Sequence, residues 1–418
     1  MNGEPPRRWM HRFLAIWTGQ QLSVIGSRAG QFALVWWLTL ETGSVSVLAT
    51  ASLVAMIPRI VLGPIAGAAA DRWNRQTMMI LADSFVALAG LWLAWLFWSD
   101  AMQIWHIYVL MLARAIGGAF HGPAMAASTA LMVPSRHYTR ISGLNNTLQG
   151  LLDLVGAPLG ALLLSVMTLD GIMLIDVATA AFAILPLLIL RIPQPKTENV
   201  SSLRSRSLLS NTREGLRFVL GWRGLMIFLG GIWILQVATM PALSLLPLLV
   251  RTHYGGGATE YSMFSVAIGL GMVLGGLALT IWGGFSRKVH TILLGFSGVG
   301  LSTFLLGFVP GQFLWIGLVL IFVTGLMIPM VNGPIGAVVQ ATVPHEMQGR
   351  VFGLLGSVSA LTTPIGLGVI ALLGDAIRVP VLFVVVGVTH FIVICGLVLS
   401  SSFRNLENRT STEEGSSL

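Results

Sequence analysis

The stretch GAAADRWNRQ, Gly67–Gln76, is a short run of mixed charge set between two long apolar segments. Asp71 and Arg72 follow Gly67 by about one helical turn, and Arg75 comes three positions after Arg72. On either side, Val45–Ala69 and Thr77–Phe97 read as spanning helices, because about 20 consecutive apolar residues cross a bilayer. The rest of the chain has the same character. Of 418 residues, 55% are hydrophobic and 10% charged, and the mean hydropathy is +0.83. Soluble domains carry about 25% charged residues. Too few charges are present to cover a water-facing surface, so the chain belongs in a lipid bilayer. Its length holds two helix bundles, their loops and tails, and no large soluble domain. The single cysteine, Cys395, lies in an apolar run, which excludes a disulfide framework and a cysteine zinc site.

Twelve apolar segments can be marked along the chain. The first six run about Phe13–Leu38, Val45–Ala69, Thr77–Phe97, Ile104–Met132, Ile141–Met167 and Ile172–Leu190. The next two run about Leu225–Val250 and Ser262–Gly283, and the last four centre near Gly298, Val323, Leu361 and Val388. This predicts an all-α membrane protein with twelve transmembrane helices in two pseudo-symmetric six-helix bundles. The divisions are an N-terminus at 1–12, a first bundle at 13–190, a linker at 191–223, a second bundle at 224–400 and a tail at 401–418. Arg7, Arg8 and Arg12 precede the first segment, which is longer than a signal-peptide core and reads as a retained helix. On this map 19 of the 24 Lys and Arg residues fall in one set of alternate loops, the linker and the termini. The opposite loops hold only Arg251 and Arg378. Basic residues stay on the cytoplasmic side, so both termini are expected there. The net charge of +8 is therefore a topology signal and not a nucleic-acid footprint. Trp36, Trp37, Trp98, Trp105 and Trp315 fall at the expected outer interface.

The halves repeat. HGPAMAASTALMVPSRHYTRISGL around Pro123 is matched by NGPIGAVVQATVPHEMQGRVFGL around Pro334. Each has Gly-Pro within a helix, then Val-Pro, then an arginine, Arg140 or Arg350. Pro158 and Pro364 follow in the next helix. Repeats of this kind build transporters whose substrate site lies between the halves.

Ionisable groups inside spanning helices are costly and face a cavity or a partner. Here they are Arg28, Arg59, Arg114, Asp83, Asp153 and Asp176. Asn145, Gln149 and Asp153 share one helical face, and so do Gln20, Ser23, Ser27 and Gln31, with Arg28 alongside. Polar stripes of this kind are expected to line a water-filled cavity. Asp153 is either a proton or cation acceptor, or half of a permanent ion pair with Arg114 or Arg28. Trp233, Gln236 and Met240 mark a further face, suited either to stacking on an organic substrate or to ordinary packing. Gly271 with Gly275, and Gly298 with Ser302, fit close helix packing. His121 and His390 read as satisfied polar groups. The sequence contains no metal constellation, no phosphate-binding loop and no nucleophile–base pair, so an enzyme or an ATP-driven pump is not expected.

The Gly67–Gln76 stretch resembles the loop between the second and third helices of the major facilitator superfamily, matched at Gly67, Asp71, Arg72 and Arg75. Asn74 and Gln76 depart from that pattern. Arg114 with Gly118 resembles the family's helix 4 motif, with Gly117 in place of the usual glutamine. Gly150, Gly156, Ala157, Pro158 and Gly160 resemble the helix 5 motif of exporters, departing at Ala157 and Ala161. With GQQLSVIGS and VPHEMQGRVFG, the chain from about 10 to 400 is similar to bacterial drug exporters of the macrolide-efflux-like branch. That resemblance implies proton-coupled export of amphipathic, drug-like compounds from a bacterial inner membrane, conferring antibiotic resistance. It implies Gly67, Asp71, Arg72 and Arg75 as a conformational gate. Arg28, Arg114 and Asp153 are the candidates for proton or charge coupling. Gln20, Ser23, Asn145, Gln149, Trp233, Gln236 and Met240 are the candidates for the substrate cavity. The partners are the organic substrate, protons and lipid; the proton gradient replaces any cofactor, and a monomer is expected. Export of one anionic or zwitterionic solute, such as a siderophore or lipid, is the alternative, with three intramembrane arginines in its favour. A non-transporting membrane sensor is a third.

Overall fold

The computed structural model describes residues 9–134, 137–192, 217, 221–343, 345–373 and 376–401. Among these the chain is helical. The first six helices are α1 (Trp9–Thr42), α2 (Val45–Arg72), α3 (Arg75–Trp98), α4 (Ile104–Met132), α5 (Tyr138–Val166) and α6 (Leu169–Ile189). The rest are α7 (Arg223–Ser244), α8 (Leu246–Thr252), α9 (Ala258–Trp282), α10 (Lys288–Leu306), α11 (Leu314–Thr342), α12 (His345–Leu373) and α13 (Val379–Leu399). All but the seven-residue α8 are long. The seventh expected segment is thus two helices, broken at Leu245. Pro247 lies in the first turn of α8, where its missing N–H costs nothing. Most of the expected linker and all but the first residue of the expected tail lie outside the described residues.

Nine helical stretches among the described residues are long and apolar enough to cross a membrane. α1 and α4 are not among them, and in α12 the apolar stretch among the described residues is the shorter Ser359–Leu373. In α1 and α4 the cause is visible in the residues: Gln20, Gln21, Arg28 and Gln31 in one, His106, Arg114 and His121 in the other. These two helices carry polar side chains through the bundle, and they reappear below as cavity walls.

The chain divides into two compact units, one of Met1–Gly43 with Thr50–Asn199 and one of Ser44–Ala49 with Val200–Leu418. In the first, α1 packs on α5 and α6, and α3 packs on α4 and α6. In the second, α7 packs on α12 and α13, and α10 packs on α11 and α13. These pairings match between the units, as the sequence repeat requires, whereas the extensive α9–α11 packing of the second unit has no counterpart of that extent between α2 and α4. The repeat extends to local geometry. Val133 and Val343 cap α4 and α11 in nearly identical extended conformations, φ −99° and ψ 133° against φ −99° and ψ 128°. Each precedes a proline, whose ring excludes the helical conformation from the residue before it.

Apolar residues are buried within each unit. Phe13, Ile16, Met79, Ala124 and Leu187 belong to one core, and Phe228, Leu235, Ile292, Val339 and Val351 to the other. Trp98, Trp105 and Trp315 are exposed, whereas Trp36 is buried and Trp37 packs edge-on against Phe97.

Candidate functional site

The turn between α2 and α3 is fixed by its own side chains. Asn74 caps α3, its Oδ1 accepting from the Thr77 N–H at 3.1 Å, a role that suits asparagine where glycine has no side chain to offer. Arg75 is buried. Its guanidinium donates to the Ala70 carbonyl at 3.0 Å and to the Ala127 carbonyl at 3.3 Å, tying the end of α2 to α4. Gln76 donates to the Leu187 carbonyl at 2.5 Å and accepts from the Ile192 N–H at 2.9 Å. It thereby closes the C-terminal end of α6, whose last carbonyls lack helical partners. Arg72 is exposed, and Gly67 has open space beside it. The Asp71 side chain lies outside the description.

Inside the first unit is a cavity of about 580 Å³. Its polar lining comes from Gln20, Ser23, Ser27, Arg28 and Gln31 of α1, Arg59 of α2 and Asp83 of α3. Arg114 and His121 of α4, Gln149 of α5 and Asp176 of α6 complete it. Helix spacing explains the convergence, because Gln20, Ser23, Ser27 and Gln31 recur every three or four residues.

Three acidic groups of this unit have different surroundings. Asp176 forms an ion pair with Arg114, and both are largely buried, the side chains 7% and 13% exposed. Ser27 Oγ donates to the other oxygen of Asp176 at 2.8 Å, and Arg114 also reaches Gln31 Oε1 at 3.4 Å. Asp153 pairs with Arg28 at 2.9 Å, with side chains 59% and 46% exposed. Asp83 accepts from Gln20 Nε2 at 2.9 Å, and its other oxygen lies 3.6 Å from His121 Nε2. Arg59 takes part in none of the three pairs.

The candidates from the sequence are therefore distributed over several sites. Gln20, Ser23, Arg28, Arg114 and Gln149 line the cavity. Asn145 accepts from Trp17 Nε1 at 2.6 Å, and Asp153 is held by Arg28, so that stripe is divided among three uses. Gln236 and Met240 line a smaller cavity of about 140 Å³ in the second unit, with Thr239, Asn332 and His390. Trp233 lies outside that lining, and its buried indole N–H has no hydrogen-bond partner among the described residues. Asp83 and Asp176, absent from the candidates named above for coupling or for the substrate cavity, are cavity residues here. Their signal was available in the spacing of α1: Gln20 and Ser27 are the groups that reach them.

The arrangement can hold a polar or charged organic group in a pocket walled by apolar helices. Among the described residues it includes no nucleophile–base pair and no cluster of His, Cys, Asp or Glu able to hold a metal.

Comparison with known proteins follows the same lines. The family model described as Major Facilitator Superfamily matches residues 16–366 and 229–417. The chain is 33% identical over 396 residues to Macrolide efflux protein A of Streptococcus pyogenes, covering 95% of each chain. It is 30% identical over 361 residues to the multidrug efflux pump Tap of Mycolicibacterium fortuitum, covering 81% of this chain and 84% of that one. Among solved structures it is similar to a mutant of the nucleoside transporter NupG, with a TM-score of 0.68 at 11% identity, covering 92% of this chain and 98% of that one. A D-xylose–proton symporter matches with a TM-score of 0.60 at 15% identity, covering 90% and 96%. This multi-pass membrane protein belongs to the Major Facilitator Superfamily.

Proposed function

We propose that this transporter is a secondary exporter of amphipathic, drug-like organic compounds, working by alternating access and driven by exchange with protons. The observation that carries the reading is similarity over nearly the whole chain to a macrolide efflux protein, joined to similarity to a multidrug efflux pump. The cavity of the first unit supports it, since polar side chains through an apolar bundle suit a passenger with both apolar and polar or charged parts. In this reading the protein is not an enzyme and uses no cofactor. It works as a monomer in a bacterial inner membrane, with both termini cytoplasmic and the proton gradient as its energy source. Gly67, Asp71, Arg72 and Arg75 form the gate, with Arg75 as its fixed anchor. Arg28, Arg114 and Asp153 set the charge balance around the cavity.

Export of a single anionic solute is the second reading, and Arg59 is the observation that favours it. Arg28 and Arg114 are each neutralised by an aspartate, which leaves one arginine of three for a substrate anion. The test is accumulation of macrolides, dyes and anionic siderophores in cells expressing the protein, with and without a protonophore. Lowered accumulation of several unrelated compounds, restored by the protonophore, is expected. A response to one anion alone selects the second reading.

A further inference from the structure

Of the three intramembrane carboxylates, two face a permanent cation. Asp153 faces Arg28, and Asp176 faces Arg114 with a serine hydroxyl on its second oxygen. An arginine stays charged at any physiological pH, so each of these carboxylates faces a fixed positive charge. Asp83 is different. Its neighbours are an uncharged amide, Gln20, and an imidazole, His121. Imidazole is the side chain whose charge changes near neutral pH.

We propose that Asp83 and His121 together form the proton-carrying site of this transporter. The inference rests on the proton-coupled reading above. The pair holds one exchangeable proton, either as carboxylate and imidazolium or as carboxylic acid and neutral imidazole, and both forms are neutral overall. Release of that proton to cavity water leaves a carboxylate and a neutral imidazole, a net charge of −1. A group buried away from water resists such a change unless a nearby positive charge offsets it.

The geometry supplies that charge. Arg59 of α2 lines the same cavity and approaches α4 at Gly118, one turn before His121. A Cβ at Gly118 would lie 3.1 Å from Arg59 Nη2. A cationic group on a bound substrate can act in the same sense, which links substrate entry to proton release. The remaining charged groups around the site are already paired: Arg28 of α1 with Asp153 of α5, and Arg114 of α4 with Asp176 of α6.

The site is also free to change. His121 Nε2 is buried without a hydrogen-bond partner among the described residues, and 3.6 Å from Asp83 is too long for a hydrogen bond. The imidazole is aimed at the carboxylate and not locked to it, whereas Asp176 is held on both oxygens. A carrier has to give up its proton in one state and regain it in another. A fixed ion pair cannot do this.

The experiment uses the full chain in proteoliposomes with an entrapped pH dye, and ethidium as the probe because its charge is permanent. Wild-type protein is expected to move protons against ethidium. Asp83→Asn is expected to lose ethidium-driven proton movement, and any flux that remains runs only down the ethidium gradient, indifferent to an imposed pH gradient. His121→Gln, which leaves the carboxylate in place, is expected to shift the pH at which flux is half-maximal. Asp83→Asn moving protons and ethidium in the wild-type ratio overturns the assignment, and so does an unchanged pH profile in His121→Gln. A wild-type protein that transports ethidium and moves no protons overturns the proton-coupled reading itself, a different result from either variant's failure.

Discussion

In the second unit α9 meets α11 through glycine, and in the first unit α2 meets α4 through arginine. Gly271 and Gly275 sit against the backbone of Phe322 and Leu326, and Gly325 against that of Ile268, so the two helices touch main chain to main chain. The equivalent pair in the repeat, α2 and α4, meets with the Arg59 guanidinium against Gly118. Small residues let helices close on one another in lipid. An arginine instead demands water or polar neighbours, and the largest cavity with a polar lining described here lies beside it. All six arginines and aspartates deep within helices fall in the first half of the sequence, and the second half has none comparable. One bundle plan thus carries a charged cavity beside α2 and α4 in one half and a glycine-closed α9–α11 pair in the other.

The comparison breaks first at Arg114. Arg114→Leu strands the Asp176 carboxylate in a nearly dry site, a change that costs about 3–5 kcal/mol when a buried pair loses one partner. A large fall in the melting temperature of the purified protein is expected. Arg114→Leu combined with Asp176→Leu should recover most of that loss, and failure to do so would mean that the pair is more than mutually compensating. The glycines come next. Gly275→Ala places a methyl against the Leu326 backbone, which cannot move aside, at about 1–3 kcal/mol of overpacking. Gly118→Ala meets only the flexible end of Arg59, and alanine's better helix propensity of about 1 kcal/mol offsets the contact. Equal melting shifts in the two variants would erase the distinction between the units. Smallest is Asp153→Asn. Its pair with Arg28 is about half exposed, and exposed pairs contribute roughly 0.2–1 kcal/mol. A melting temperature close to wild type is expected, with any effect confined to transport.

The bundle plan could be read from the chain because its signals are local. Val-Pro at the ends of α4 and α11 restricts the backbone wherever it occurs, and the run of apolar residues in α3 needs no partner to be recognised. The two departures from the family loop, Asn74 and Gln76, have a use that only the folded chain displays: one caps α3 and the other closes α6. Which charge meets which could not be read in the same way. Arg28, Arg114, Asp153 and Asp176 all lie on helices of the same period, and the rotation and tilt of each helix select the partners. Arg114 could reach toward Asp153 by sequence logic, yet α6 presents Asp176 to it and Arg28 takes Asp153. Asn145 shares a face with Gln149, but Trp17 on α1 claims its side-chain oxygen first.

The Arg114–Asp176 pair also constrains how this protein can diverge. A substitution at either position alone leaves a largely buried charge without its partner, a cost that falls on every single-step change. Descendants leave this arrangement only by changing both residues together. The glycine contacts of the second unit carry no such joint requirement, and each of those positions answers to its own contact alone.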